Sequence, residues 1–190
     1  MKIYLLDINP KMVDSWKKHF ADLTDVEIVC EDFSDFMKNN DIECVVSPAN
    51  SYGIMDGGYD LAITHYFGVK LMIEVQKHII NNYFGEQPVG SSFILEIPNT
   101  NQKLIHTPTM RIPSVIIDPK IVYHCMRSTL ICALQNDIKS IVIPAFGGCC
   151  GCLEYDDISF LMRKAYDQIK NPPKRINWEH ALNDSIEDIY

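Results

Sequence analysis

The sequence predicts an α/β fold around a mixed, mostly parallel sheet. Three observations point there. Short runs of β formers alternate with longer amphipathic segments. The first run is apolar at most positions, as expected of a strand buried on both faces. One pair of runs, Ser92–Ile97 and Lys103–Thr107, is joined by the turn Asn99-Thr100-Asn101 and reads as an antiparallel hairpin.

The elements follow in order. Ile3–Ile8 is a strand, and Asn9-Pro10 starts a helix with Met12, Val13, Trp16 and Phe20 on one stripe. Val26–Cys30 is a second strand, running into the acidic turn Glu31-Asp32-Phe33 and a short helix carrying Phe36 and Met37. Cys44–Ser47 is the third. From Gly58 to Tyr83 one helix is expected, with Ile63, Phe67, Leu71, Val75 and Ile79 every four residues; Gly68 within it is read as a mild penalty that permits close packing. The hairpin comes next, then a loop fixed by Pro108 and Pro113, then an amphipathic helix from Ile121 to Leu134. Ser140–Pro144 is the last strand. It opens into the glycine-rich stretch Gly147–Cys152, followed by a helix carrying Ile158, Leu161, Met162, Ala165 and Ile169. Pro172-Pro173 closes the compact part, so one domain over residues 1–170 is expected, with 171–190 as an acidic tail bearing a surface helix anchored by Trp178.

Composition narrows the function classes. A chain of 190 residues with 47% hydrophobic and 22% charged residues is long enough for one sizeable core. Its net charge of −8 argues against general binding of nucleic-acid phosphates, so any phosphate is expected to meet backbone amides. Seven cysteines without a secreted spacing, and an N-terminal apolar run broken by Asp7, fit free thiols in a reducing cytoplasm. No apolar run is long enough to span a bilayer, and no membrane partner is expected.

Several familiar sites are absent: the Gly-x-Gly-x-x-Gly turn, the Gly-Lys-Ser/Thr loop and the Gly-x-Ser-x-Gly elbow. Cys149, Cys150 and Cys152 lack the second Cys/His pair of a zinc site and the arginine of a thiolate phosphatase loop; they read as small residues filling a tight loop. His106, beside Leu104 and Ile105, reads as a hydrogen-bonded core histidine. What remains is three acidic or glycine-rich turns after strands: Asp32, the stretch Asn50–Asp60, and Gly147–Cys152. On one edge of a parallel sheet they would offer a carboxylate for an amine, amides for a diphosphate and polar groups for sugar hydroxyls, an inventory that fits a nucleoside diphosphate sugar.

These residues resemble the macro domain family, and the wording is nearest to a bacterial and phage-associated branch. The resemblance rests on Glu31-Asp32-Phe33, on Ser47-Pro48-Ala49-Asn50 leading to Asp56-Gly57-Gly58-Tyr59-Asp60, on Leu104-Ile105-His106-Thr107, and on Pro144-Ala145-Phe146-Gly147-Gly148-Cys149-Cys150-Gly151, in that order. It covers about Lys2 to Lys170 and implies a three-layer α/β/α sandwich with a six-stranded sheet that binds ADP-ribose, free or on an ADP-ribosylated protein, with nucleic acid a partner only as an ADP-ribosylated target. Asp32 would take the adenine amino group with Phe33 beside the ring. Ala49 and Asn50 would meet the distal ribose. Gly57, Gly58 and Tyr59 would wrap that ribose and one phosphate. Gly148, Cys149, Cys150 and Gly151 would bind the diphosphate through backbone amides, with Phe146, Gly147 and Cys152 also among the ligand-binding residues. Asn50 and Asp60 match positions tied to hydrolysis in the family's hydrolases, with no metal or other cofactor implied. A non-catalytic reader, an ADP-ribose-1″-phosphate phosphatase and a structural role stand as alternatives. The sequence departs from the family at Met55 and Asp56, which replace glycines; at Tyr59, where a small aliphatic residue is usual; and at Cys149, which replaces a central glycine and would be strained if that residue needs positive φ.

Overall fold

The computed structural model describes residues 1–183. Six strands, β1 (Lys2–Asp7), β2 (Val26–Cys30), β3 (Cys44–Ser47), β4 (Phe93–Glu96), β5 (Lys103–His106) and β6 (Ser140–Ile143), form one sheet in the order β2-β1-β6-β3-β5-β4. Every neighbouring pair is parallel except β4 and β5, which form the expected antiparallel hairpin.

Side chains alternate across the sheet and make two cores. Ile3 and Leu5 of β1, Cys44 and Val46 of β3, Ile105 of β5, and Ile141 and Ile143 of β6 face one core with helices α1 (Pro10–Phe20), α5 (Ile121–Gln135) and α6 (Tyr155–Lys170). Leu6, Val45, Leu104 and Val142 face the other, with α2 (Phe33–Asn39), α3 (Gly58–Phe67) and α4 (Val69–Tyr83). The result is the three-layer α/β/α sandwich.

Helix starts follow from local chemistry. The Asn9 side chain accepts from the Lys11 amide at 3.0 Å with Pro10 in the first turn. Asp32 caps α2, its Oδ1 accepting from the amides of Ser34 (2.8 Å) and Asp35 (3.4 Å). His106 is fully buried, its Nδ1 2.6 Å from Gln87 Oε1, and burial drives its pKa down to about 3. It is the hydrogen-bonded core histidine expected.

Two expectations are corrected. The helix expected over Gly58–Tyr83 is two helices, because Gly68 takes φ +88 and breaks the ladder between α3 and α4. No atom lies within 4 Å of a Cβ built there, so Gly68 serves the backbone turn and not close packing. Trp178 begins the short helix α7 (Trp178–Asn183) but is 83% exposed, so it is not packed as an anchor against the described residues. The last residues of the expected acidic tail, 184–190, lie outside the described residues.

Candidate functional site

Because β1, β2, β3, β5 and β6 run the same way, the turns at their carboxyl ends meet along one edge of the sheet. They enclose a cavity of about 620 Å³. Asp7, Ile8 and Asn9 enter after β1, Glu31 to Phe33 after β2, and residues between Pro48 and Ala62 after β3. Thr109, Met110 and Pro113 enter after β5. Pro144, Ala145 and the stretch Gly147–Gly151 follow β6, with Tyr155 behind them.

The turn after β3 is held together by side chains. Asn50 is buried; its Nδ2 donates to the Ile54 carbonyl at 2.8 Å, and its Oδ1 accepts from the amides of Tyr52 (3.1 Å) and Ile54 (3.3 Å). Its amide therefore shapes the loop, leaving the second Nδ2 hydrogen for a ligand. The turn after β5 runs alongside: the Thr109 amide donates to the Ala49 carbonyl and the Ser51 amide to the Met110 carbonyl. Gly57 and Gly58 then lead into α3, Gly58 at φ +55 with open space where a Cβ would stand.

Asp60 lies in the first turn of α3 and is buried against the end of β3, where the Ser47 hydroxyl donates to its Oδ1 at 2.6 Å. Burial raises its pKa from 3.8 to about 7; the Ser47 hydrogen bond opposes the rise, and the charge of Asp56 adds to it. The carboxyl is thus poised to exchange a proton near neutral pH, as a general base requires. Beside it, Tyr59 packs edge-on against Phe33, ring centroids 5.2 Å apart. Burial holds the Tyr59 phenol well above its usual range, and its hydroxyl has no hydrogen-bond partner among the described residues.

The turn after β6 is held by backbone. Gly147 adopts φ +81, and its carbonyl accepts from the Leu153 amide. A Cβ on Gly151 would stand 2.5 Å from that carbonyl oxygen, so only glycine closes the loop. The Ile116 amide donates to the Gly151 carbonyl, tying the loop to the strap between β5 and α5. Cys149 does not have positive φ; the left-handed non-glycine residue of the loop is Cys152, at φ 54.

Most residues expected at the site are on the cavity wall: Asp32, Phe33, Ala49, Asn50, Gly57, Gly58, Tyr59, Asp60, Gly147, Gly148, Cys149, Cys150 and Gly151. Two are not. Phe146 is fully buried in the core that α1, α5 and α6 share with the sheet, and Cys152 lies off the wall. Sequence reasoning passed over Ser47, the partner of Asp60, and Asp7, whose pKa burial raises against hydrogen bonds from the Asn9 and Ile8 amides. Five carboxylates line the wall (Asp7, Glu31, Asp32, Asp56 and Asp60) without a lysine, arginine or histidine among the lining residues. An anionic group entering here meets no cationic side chain among the lining residues, and its donors are main-chain amides and neutral side chains such as Asn50.

Comparison with known proteins gives a consistent picture. A 109-residue stretch, 56% of this chain, is 32% identical to an uncharacterized protein of Aquifex aeolicus, and it spans 62% of that relative's length. Among solved structures, the Oceanobacillus iheyensis macrodomain with MES bound superposes with a TM-score of 0.59 at 22% identity, covering 70% of this chain and 72% of that one. The macrodomain of Mycobacterium tuberculosis DarG gives 0.59 at 19%, over 68% of this chain and 84% of that one. Thermosipho africanus DarTG in complex with ADP-ribose gives 0.58 at 18%, over 73% of this chain and 40% of that one. The family model for the macro domain matches residues 46–160, more than half of the chain, and so takes in the turn after β3, the strap and the loop after β6: the chain belongs to the macro domain family.

Proposed function

We propose that this macro domain binds ADP-ribose, free or protein-linked, and hydrolyses mono-ADP-ribose from protein targets. The observation that carries the reading is Asp60, a buried carboxyl with a pKa of about 7 on the wall of a cavity that also holds the glycine-rich loop after β6. In this reading Gly148 to Gly151 hold the diphosphate through main-chain N–H groups, since the wall carries no lysine, arginine or histidine. Asp32 receives the adenine amino group beside Phe33. Ala49, Asn50, Gly57, Gly58 and Tyr59 surround the distal ribose. Ionised Asp60 takes a proton from water as the water oxygen bonds to C1″; the bond from C1″ to the protein side chain breaks, and the departing atom takes a proton from solvent while Asp60 later returns its own to solvent. The similarity to DarTG in complex with ADP-ribose supports the ligand class.

A second reading, a reader without turnover, is favoured by one observation. Asn50 spends its Oδ1 and one Nδ2 hydrogen within its own loop, which leaves little to orient a water. Incubation with mono-ADP-ribosylated protein separates the two. The hydrolase reading expects release of ADP-ribose that falls by about 10²–10⁴-fold in Asp60→Asn, the usual worth of a general base. Release that survives in Asp60→Asn discards Asp60 as the base, and no release from wild type leaves the reader.

Residues 1–170 are taken as the functional unit. Among the described residues no helix is long and apolar enough to cross a membrane. The seven cysteines, all unpaired, support assignment to a reducing cytoplasm.

A further inference from the structure

The loop after β6 carries three exposed thiols, Cys149, Cys150 and Cys152, and diphosphate binding uses none of their chemistry. They do not converge on a common centre as metal ligands would: among the described residues no group of three or more His, Cys, Asp or Glu side chains is so disposed. Their backbone arrangement points elsewhere. The Cys152 amide donates to the Cys149 carbonyl at 3.1 Å, so residues 149–152 form a hydrogen-bonded β-turn. Such a turn brings its end Cα atoms within about 7 Å, which overlaps the separation of roughly 4.4–6.8 Å that a disulfide spans. The Cys152 Sγ already lies 3.6 Å from the carbonyl oxygens of both Cys149 and Cys150. The Cys149 thiol, whose pKa is raised by burial and by Cys150, hydrogen-bonds to the Cys150 side chain, but these adjacent residues are a poorer disulfide pair because neighbouring Cα atoms are only about 3.8 Å apart. Cys152 also stands at φ 54, a left-handed backbone that glycine adopts more readily than any residue with a side chain.

We propose that Cys149 and Cys152 are a thiol-oxidation site, forming a reversible disulfide that switches the loop between a ligand-binding and a non-binding form. The consequence for binding rests on the function proposed above; the disulfide itself does not. Cys149 lies on the cavity wall and Cys152 does not, so bridging draws the Cys149 side chain off the wall and turns the adjoining peptide groups. The loop has no slack to absorb this, since Gly151 already sits against the Gly147 carbonyl. With a low-molecular-weight disulfide as oxidant, the Cys152 thiolate attacks one of its sulfurs and expels one thiol. The Cys149 thiolate then attacks the Cys152 sulfur and expels the second. Two protein thiols are oxidised and one small disulfide is reduced to two thiols.

The test exposes the full chain to oxidised glutathione, alkylates the remaining thiols, maps the peptides, and measures ADP-ribose affinity in both redox forms. The expected result is a Cys149–Cys152 crosslink that dithiothreitol reverses, with affinity at least tenfold weaker in the oxidised form. Cys152→Gly, suited to the left-handed backbone, is expected to form no crosslink and to show one affinity with and without the oxidant. A crosslink confined to Cys149–Cys150, no crosslink at all, or equal affinity in the two forms overturns the proposal. Failure of the reduced protein to bind ADP-ribose instead overturns the ligand assignment, and the crosslink map still decides the disulfide.

Discussion

The two loops that face each other across the cavity are built on opposite principles. The turn after β3 is organised by side chains: Asn50 closes it on Tyr52 and Ile54, Thr64 Oγ1 donates to the Met55 carbonyl, and Ser47 fixes Asp60. The turn after β6 is organised by backbone: two glycines, a carbonyl with no room for a methyl beside it, and an amide from the strap. The first presents a tuned functional group and the second presents main-chain donors. The first should therefore respond to isosteric exchanges of its side chains, and the second to the addition of a single carbon.

The largest expected effect concerns the cost of keeping Asp60 buried. Below pH 3.8 its carboxyl is protonated in both folded and unfolded chains, and burial carries no ionic penalty. Between 3.8 and about 7 the unfolded chain ionises while the folded one stays protonated, so this contribution to stability is lost as pH rises, and above about 7 the loss is constant. Asp60→Asn, which can still accept from Ser47, removes the penalty. Urea unfolding should show it gaining stability over wild type between pH 4 and pH 7.5 by on the order of 4 kcal/mol, the worth of about three pKa units. An equal difference at both pH values would mean that Asp60 is not tuned by burial.

Next in size is the opposite loop. Gly151→Ala puts a methyl against the Gly147 carbonyl and should cost about 1–3 kcal/mol of stability by overpacking, with ADP-ribose affinity falling as the amides move. Gly58→Ala, where the space is open, should leave packing intact and cost only the strain of φ +55, about 1 kcal/mol. If the two alanines cost the same, the backbone account of the second loop is wrong. Asp32→Ala removes the cap of α2 and should cost roughly 0.5–2 kcal/mol of stability. It should also weaken ADP-ribose by about 1–3 kcal/mol if the carboxylate meets the base. The smallest effect belongs to Asp56. Asp56→Asn takes away a negative charge that raises the Asp60 pKa, so the rising limb of the pH–rate profile, expected near pH 7, should move to lower pH by less than about one unit.

Much of this was legible in the sequence because it depends on local order. Six strand runs, a hairpin and three polar turns at strand ends are enough to set the sheet and to bring the turns to one edge. The rest depended on facts that spacing does not carry. The helical period runs through Gly68 unbroken, as Ile63, Phe67 and Leu71, and only the backbone angle there reveals two helices. Ser47 and Asp60 meet across thirteen residues, between a strand end and a helix start, with no motif linking them. Asp7 enters the site only because β1 lies beside β6. Within the β6 loop, composition marks a tight turn, but which residues take positive φ is set by closure: Gly147 and Cys152 do, and Cys149 does not. Phe146 sits amid wall residues in sequence yet turns inward to fill the core beneath them.

Calorimetric titration of the reduced wild-type chain with ADP-ribose tests the central claim most directly. The account predicts saturable binding of one ligand per chain at submillimolar concentration, weakened by Gly151→Ala and retained by Asp60→Asn. Absence of binding at millimolar ADP-ribose would contradict it, for hydrolase and reader alike.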